Sequence, residues 1–246
     1  ESLPRGQSEA GYAIGLRKSG VDSINFDLMY GLPFQTDEGL EDSLSRSAAM
    51  GADRIALFGY AHVPHMIPRQ RRIDASELPD QRARFRMAAQ GHVQLVDAGY
   101  QPVGFDHFAR PGDDLARAAL TGRLRRNFQG FTDDEAETLI GIGASAISEF
   151  DGLFVQNEKN AGRYRMLVGA GLLPGRKGVV RTADDRRRGA IITELLCKGH
   201  ARVDRDLLLA ARDRLDAFAA REILRLEGDR LVLERGSEPY ARSVAA

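Results

Sequence analysis

The apolar and polar positions of residues 24–111 follow two alternating periods. Ile24, Phe26 and Leu28 fall on one side of a short run and Asn25, Asp27 and Met29 on the other. That is the two-residue period of a β-strand, Ile24–Tyr30, and the run stops at Gly31-Leu32-Pro33. Thr36 or Asp37 is placed to cap a helix running to about Met50. A second strand is predicted over Asp53–His62, where Ile55, Leu57 and Gly59 alternate with Ala56, Phe58 and Tyr60. Leu78–Ala98 has the period of a long helix closed by Gly99, and Val103–Phe108 reads as a third strand. Strands separated by helices predict a parallel sheet with right-handed crossovers, an α/β class. Such sheets carry their ligand site at the C-terminal ends of the strands.

After Pro111 the alternation stops. Asp113–Arg125 is predicted helical, Gly-rich GIGAS precedes an extended piece at Leu153–Gln156, and the glycines of 171–178 read as a connector. From Thr182 a compact module is predicted: a helix over Asp184–Cys197 and one or two helices within Asp204–Ala220. Ile223–Leu226 and Leu231–Leu233 then form a hairpin about Gly228-Asp229. Helices followed by a hairpin suggest a winged-helix-like unit over Thr182–Ala246.

Composition adds exclusions. With 35 basic and 35 acidic residues the net charge is zero, which points to neither nucleic acid nor an anionic membrane. No apolar run approaches the roughly 20 residues that span a bilayer, and Glu1–Arg5 has no secretory-signal pattern. Cys197 is the single cysteine, so the chain has no internal disulfide and cannot build a cysteine-ligated cluster by itself. A reducing, cytoplasmic setting is expected.

Several residues stand out as candidate chemistry. Asp27 is a carboxylate within an apolar strand, a costly placement unless it is hydrogen-bonded. It faces a polar cavity or ligand, caps a neighbouring backbone, or pairs with an arginine. Gly59 and Ala61 share a face at a strand end, leaving room for a ligand or for close packing. His62 and His65 have a metal-compatible spacing, yet Pro64 separates them and no acidic or cysteine partner is near, so they read as loop histidines. Asp106 and His107 are adjacent and, on a strand, point to opposite faces. Gly141-x-Gly143-Ala144-Ser145 is only loosely like a phosphate loop and suits close backbone approach to a flat ligand. Arg126–Gly130 (RNFQG) joins charge, amide and aromatic in one loop, fitted to carboxylates or simply solvated. Asp184–Arg188 (DDRRR) is a solvated helix face or a phosphate contact. Cys197 sits on the apolar side of its helix as a buried thiol.

The ordered segments NFDLMYGLPFQT (Asn25–Thr36), FGYAHVP (Phe58–Pro64), GFDHFARP (Gly104–Pro111) and RNFQGFT–GIGASAIS (Arg126–Ser148) resemble the C-terminal part of the oxygen-independent coproporphyrinogen III oxidases. This is a radical S-adenosylmethionine family, and the resemblance covers about Gly20–Ala246. It implies the last strands of a partial (β/α) barrel over 1–111, a connecting segment with active-site loops over 112–181, and a helical, winged-helix-like domain over 182–246. It implies oxidative decarboxylation of coproporphyrinogen III to protoporphyrinogen IX in heme biosynthesis. A four-iron four-sulfur cluster cleaves S-adenosylmethionine, and the 5′-deoxyadenosyl radical takes a hydrogen from a propionate. Loss of carbon dioxide and one electron then leaves a vinyl group. By position, Asp27, Ala61 and Ile147 correspond to adenosylmethionine-contacting residues, and Gln129 to an active-site polar group that touches substrate.

The resemblance also has gaps. The CxxxCxxC cluster loop, the first four barrel strands and the glycine-rich adenosylmethionine motif have no counterpart here. Pro4–Gln7 matches a family NRxQ-like segment only with deletions, so Arg5 is left out of the site. The resemblance therefore implies a chain shortened at both ends and inactive alone. Its expected partners are coproporphyrinogen III and an electron donor, without nucleic acid or membrane, and the expected state is a monomer. Two other functions compete with this one. A heme-transferring paralogue would carry an HNxxYW segment, whereas this chain has Val155-Gln156-Asn157 and no tryptophan. A nucleic-acid module would use Arg186–Arg188, against the zero net charge.

Overall fold

The computed structural model describes residues 9–246; the Pro4–Gln7 segment lies outside the described residues. The chain divides into two compact units, residues 1–122 with Arg235–Ser243, and Arg123–Glu234 with Val244–Ala246.

The first unit begins with helix α1 (Glu9–Lys18) and strand β1 (Asn25–Tyr30). Helix α2 (Asp37–Ala49) follows, capped by Thr36, whose hydroxyl accepts from the Gly39 amide at 3.1 Å. Strand β2 (Arg54–Gly59) pairs in parallel with β1. Helix α3 (Gln81–Asp97) starts three residues later than the pattern predicts. Pro79 disfavours helical geometry at Leu78, and Asp80 takes the cap by accepting from the Ala83 amide at 2.7 Å. Leu40 and Leu44 of α2 and Met87 and Leu95 of α3 meet Ile55, Leu57 and Phe108 in one buried core.

The third strand differs from the expectation. Gly104 adopts φ +63°, a left-handed conformation that turns the chain at 104–106. Two short strands result, β3 (Gln101–Val103) and β4 (His107–Ala109), and they pair antiparallel. β4 inserts beside β2, also antiparallel, giving the order β1-β2-β4-β3. The sheet is therefore mixed, not all-parallel. Helix α4 (Asp114–Leu120) closes this run. Its cap, Asp113, accepts from Leu115 N at 2.8 Å and also from Arg54 Nε at 2.8 Å, tying helix to strand with a carboxylate only 5% exposed.

In the second unit β5 (Arg125–Arg126) and β6 (Phe131–Thr132) form a small hairpin. β7 (Ile147–Phe150) and β8 (Leu153–Asn157) form another. Helix α5 (Ala161–Gly169) is capped by Asn160; its apolar Met166 and Val168 are exposed, so no one-sided stripe announces it in the sequence. The 171–178 stretch is not a connector, because Gly175–Val180 is strand β9, hydrogen-bonded to β8. Helix α6 (Ala183–Lys198) starts in a reciprocal capping box between Thr182 and Asp185. β10 (His200–Arg202), α7 (Arg205–Ala210), α8 (Arg212–Ala219), β11 (Leu224–Glu227) and β12 (Arg230–Leu233) follow. The last two strands form the predicted hairpin, and β10 joins its outer side in the order β10-β12-β11. A short helix, α9 (Ala241–Ala245), ends the chain. No helix among the described residues is long and apolar enough to cross a membrane.

Candidate functional site

Strand β1 has two chemically distinct faces. Phe26, Leu28 and Tyr30 pack against the core, while Asn25, Asp27 and Met29 are exposed. Asp27 therefore is not a buried carboxylate; Asn25 donates to it from Nδ2 at 2.7 Å across the same face. Register places Asp27 opposite Ala56, and Ala56 opposite His107. The three residues thus form one row across β1, β2 and β4, about 10 Å from end to end at ordinary strand spacing. Ala56, at the centre of that row, is fully buried. His107 holds Asp106 through Nδ1 at 2.6 Å and meets the Phe58 ring edge-on at 5.7 Å. Adjacent strand residues would point apart; these two touch because Asp106 lies in the turn, and its carbonyl accepts from Leu57 N at 2.8 Å.

Ala61 lies just beyond the C-terminal end of β2. Gln70 clamps this loop with both ends of its amide: it donates to Ala61 O at 2.9 Å and accepts from Val63 N at 2.6 Å. Nothing in the sequence marks this clamp, because its two sides lie nine and seven residues from Gln70. Gly59 serves packing, not a ligand: a Cβ there would stand 2.9 Å from the Tyr30 hydroxyl. Burial pushes the Tyr30 phenol up, and the Arg84 guanidinium partly offsets this. His62 has Tyr60 OH 3.4 Å from Nδ1, and no metal-holding cluster of His, Cys, Asp or Glu occurs among the described residues.

In the second unit Gln129 is exposed at the tip of the β5–β6 hairpin, where Asn127 Oδ1 accepts from the Gln129 and Gly130 amides at 2.8 and 3.2 Å. Ile147 opens β7. The glycine loop before it approaches backbone, not open space: a Cβ at Gly141 would stand 2.7 Å from Ile147 O. Buried Asn157 donates to Gly141 O and Gly143 O at 2.9 and 3.0 Å, Ser148 Oγ accepts from Gly141 N at 3.0 Å, and Tyr164 OH accepts from Gly143 N at 3.0 Å. Ser145 is held at φ +64° in this loop. Arg187 of the DDRRR run is paired with Asp184, Asp204 and Asp206, and Arg188 with Asp184. Cys197 is buried, and desolvation pushes its thiol up to about 11, against the pull of Arg126 and Arg125. It is a packing residue, not a nucleophile.

No protein-family model matches the chain. It is similar over 98% of its length to the solved structure of the Escherichia coli coproporphyrinogen III oxidase, described as a radical SAM enzyme, with a TM-score of 0.86, 31% identity and 58% of that chain covered. The mixed α/β fold is thus that of a radical SAM enzyme. In sequence it is 42% identical over 240 residues to an oxygen-independent coproporphyrinogen III oxidase of Bradyrhizobium diazoefficiens, covering 94% of this chain and 53% of the relative. A namesake from Pseudomonas aeruginosa is 42% identical over 175 residues, 71% of this chain and 38% of the relative. The chain is a relative of the oxygen-independent coproporphyrinogen III oxidases, and it spans about half the length of the curated relatives it matches.

Proposed function

We propose that this chain forms the adenosylmethionine- and substrate-facing part of an oxidoreductase that decarboxylates coproporphyrinogen III to protoporphyrinogen IX. The observation that carries the reading is the exposed carboxylate of Asp27, held by Asn25 on the outward face of β1, in a chain similar over 94% of its length to an oxygen-independent coproporphyrinogen III oxidase. Asp27 accepts hydrogen bonds from the polar groups of S-adenosylmethionine, as it already does from Asn25. Ala61, on a loop fixed by Gln70, is a small wall beside it. Ile147 supplies an apolar contact from a loop that the Asn157 amide stiffens, and Gln129 offers its exposed amide to substrate. When bound, S-adenosylmethionine and a four-iron four-sulfur cluster supply the hydrogen-abstracting radical. The chain's own residues do not fit that cluster, since Cys197 is the single cysteine and is buried on α6.

The finer organisation belongs to the same proposal: a barrel part over 1–111, active-site loops over 112–181, and a winged-helix-like domain over 182–246. The order α6, β10, α7, α8, β11, β12 supports the last of these. A monomer in the cytoplasm, served by an electron donor and binding no nucleic acid, completes the reading. A heme-transferring paralogue is the alternative, and the names of the relatives favour the oxidase. The test is an anaerobic assay of the reconstituted, reduced full-length protein. Vinyl formation from coproporphyrinogen III is expected; heme transfer without vinyl formation would contradict the proposal.

A further inference from the structure

Two loops leave the first sheet at the C-terminal ends of its parallel strands, residues 31–36 after β1 and residues 60–67 after β2. Ligand sites of α/β sheets lie at this end. Surface loops ordinarily leave their backbone polar groups to water. Here side chains take them. Gln70, half-buried in the 3-10 turn Pro68–Arg72, binds both Ala61 O and Val63 N. Gln35 repeats the device one loop earlier: its Nε2 donates to Met29 O at 3.0 Å, and its Oε1 accepts from Leu32 N at 3.2 Å. Each amide thus holds one carbonyl and one N–H of the chain at or just beyond a strand end.

Arg84 of α3 joins the two loops. Its side chain crosses Gly31, where a Cβ would stand 2.9 Å from Nε and 3.3 Å from Cγ, and its guanidinium donates to Tyr60 O. Glycine is therefore needed at position 31 twice over, for φ +79° and for the passage of Arg84. The Tyr60 amide in turn donates to Tyr30 O at 2.8 Å, so the strand ends are tied to each other and to α3. Asp27 stands two residues before the clamped Met29, and Ala61 is itself clamped and exposed. A ligand that meets loops already held in this way loses little free energy to ordering them.

We propose that Gln35, Gln70 and Arg84 are positioning residues that fix the ends of β1 and β2 relative to each other, so that Asp27 and Ala61 meet one ligand together. That the ligand is S-adenosylmethionine rests on the reading under Proposed function; the clamp comes from the hydrogen bonds.

The test is calorimetric titration of the 246-residue chain with S-adenosylmethionine, with amide exchange and the denaturant midpoint measured on the same proteins. Gln70→Leu nearly keeps the side-chain volume and removes both bonds. It is expected to bind about threefold to tenfold more weakly, with about tenfold faster exchange at the Val63 amide and a midpoint close to the parent's. Gln35→Leu should repeat this at the Leu32 amide. Arg84→Met should also weaken binding several-fold, and Arg84→Lys, which keeps a donor for Tyr60 O, should restore most of it. Parent-like affinity in Gln35→Leu, Gln70→Leu and Arg84→Met would overturn the positioning role and leave the adenosylmethionine reading standing. Unchanged exchange at Leu32 and Val63 in the glutamine variants would overturn it without any ligand. A midpoint that falls in step with affinity would reduce the role to stability and overturn it as well. Absence of binding by the parent would reject the adenosylmethionine reading itself, and this proposal with it.

Discussion

The two units hold their candidate site residues in different ways. In the first, Asp27 and His107 stand on strands fixed from behind by an apolar core of Leu40, Leu44, Ile55, Leu57, Met87 and Leu95. In the second, Ile147 follows a glycine loop that is fixed by polar side chains: Asn157, Ser148 and Tyr164 tie down its backbone groups one by one. The first arrangement resists change through packing, which is spread over many contacts. The second depends on a few hydrogen bonds, each of which leaves a stranded backbone group when it is removed.

This contrast predicts a graded series. Leu44→Ala should be the most damaging: it empties a fully buried site and should cost about 2–5 kcal/mol, read as a lower denaturant midpoint. Asn157→Ala should cost about 2 kcal/mol by stranding the Gly141 and Gly143 carbonyls, and faster amide exchange should be confined to the glycine loop and β7. Loss of protection in the first sheet from Asn157→Ala would break the comparison.

The smallest effect concerns pH. The Cys197 thiol ionises near 9.0 when unfolded and near 11 when folded. Between those values the unfolded chain binds fewer protons than the native one, so native stability falls as pH rises through this window. Below pH 9 the contribution is constant. Cys197→Ala should show a flatter stability profile from pH 9 to 11, and native Cys197 should resist alkylation at pH 8. Rapid native alkylation there would contradict the buried assignment.

Much of the first unit was legible because its periods are strong. The alternation in Ile24–Tyr30 and the Thr36 cap rest on local chemistry and appear as expected, as does the DDRRR helix of the second unit. Local patterns could not show that Gly104 reverses the chain, because strand direction depends on which edge the next strand meets. They placed Asp27 with Asn25 and Met29 but could not show that these three are exposed, since burial is a property of neighbours. The Gln70 clamp, the Asn157 bridges and the partnered aspartates of Arg187 join residues distant in sequence, and nothing in either partner's neighbourhood marks them. Ile147 and Gln129 are candidates only through the motifs of the resemblance; periodicity does not mark them.

The most direct test of the central claim is a titration of the isotopically labelled chain with S-adenosylmethionine, followed by amide chemical shifts. We expect shifts at Asn25–Met29 of β1 and at Ala61–Val63, with saturation weakened several-fold in Asp27→Asn. Shifts confined to other segments, or an Asp27→Asn titration identical to the parent's, would contradict it.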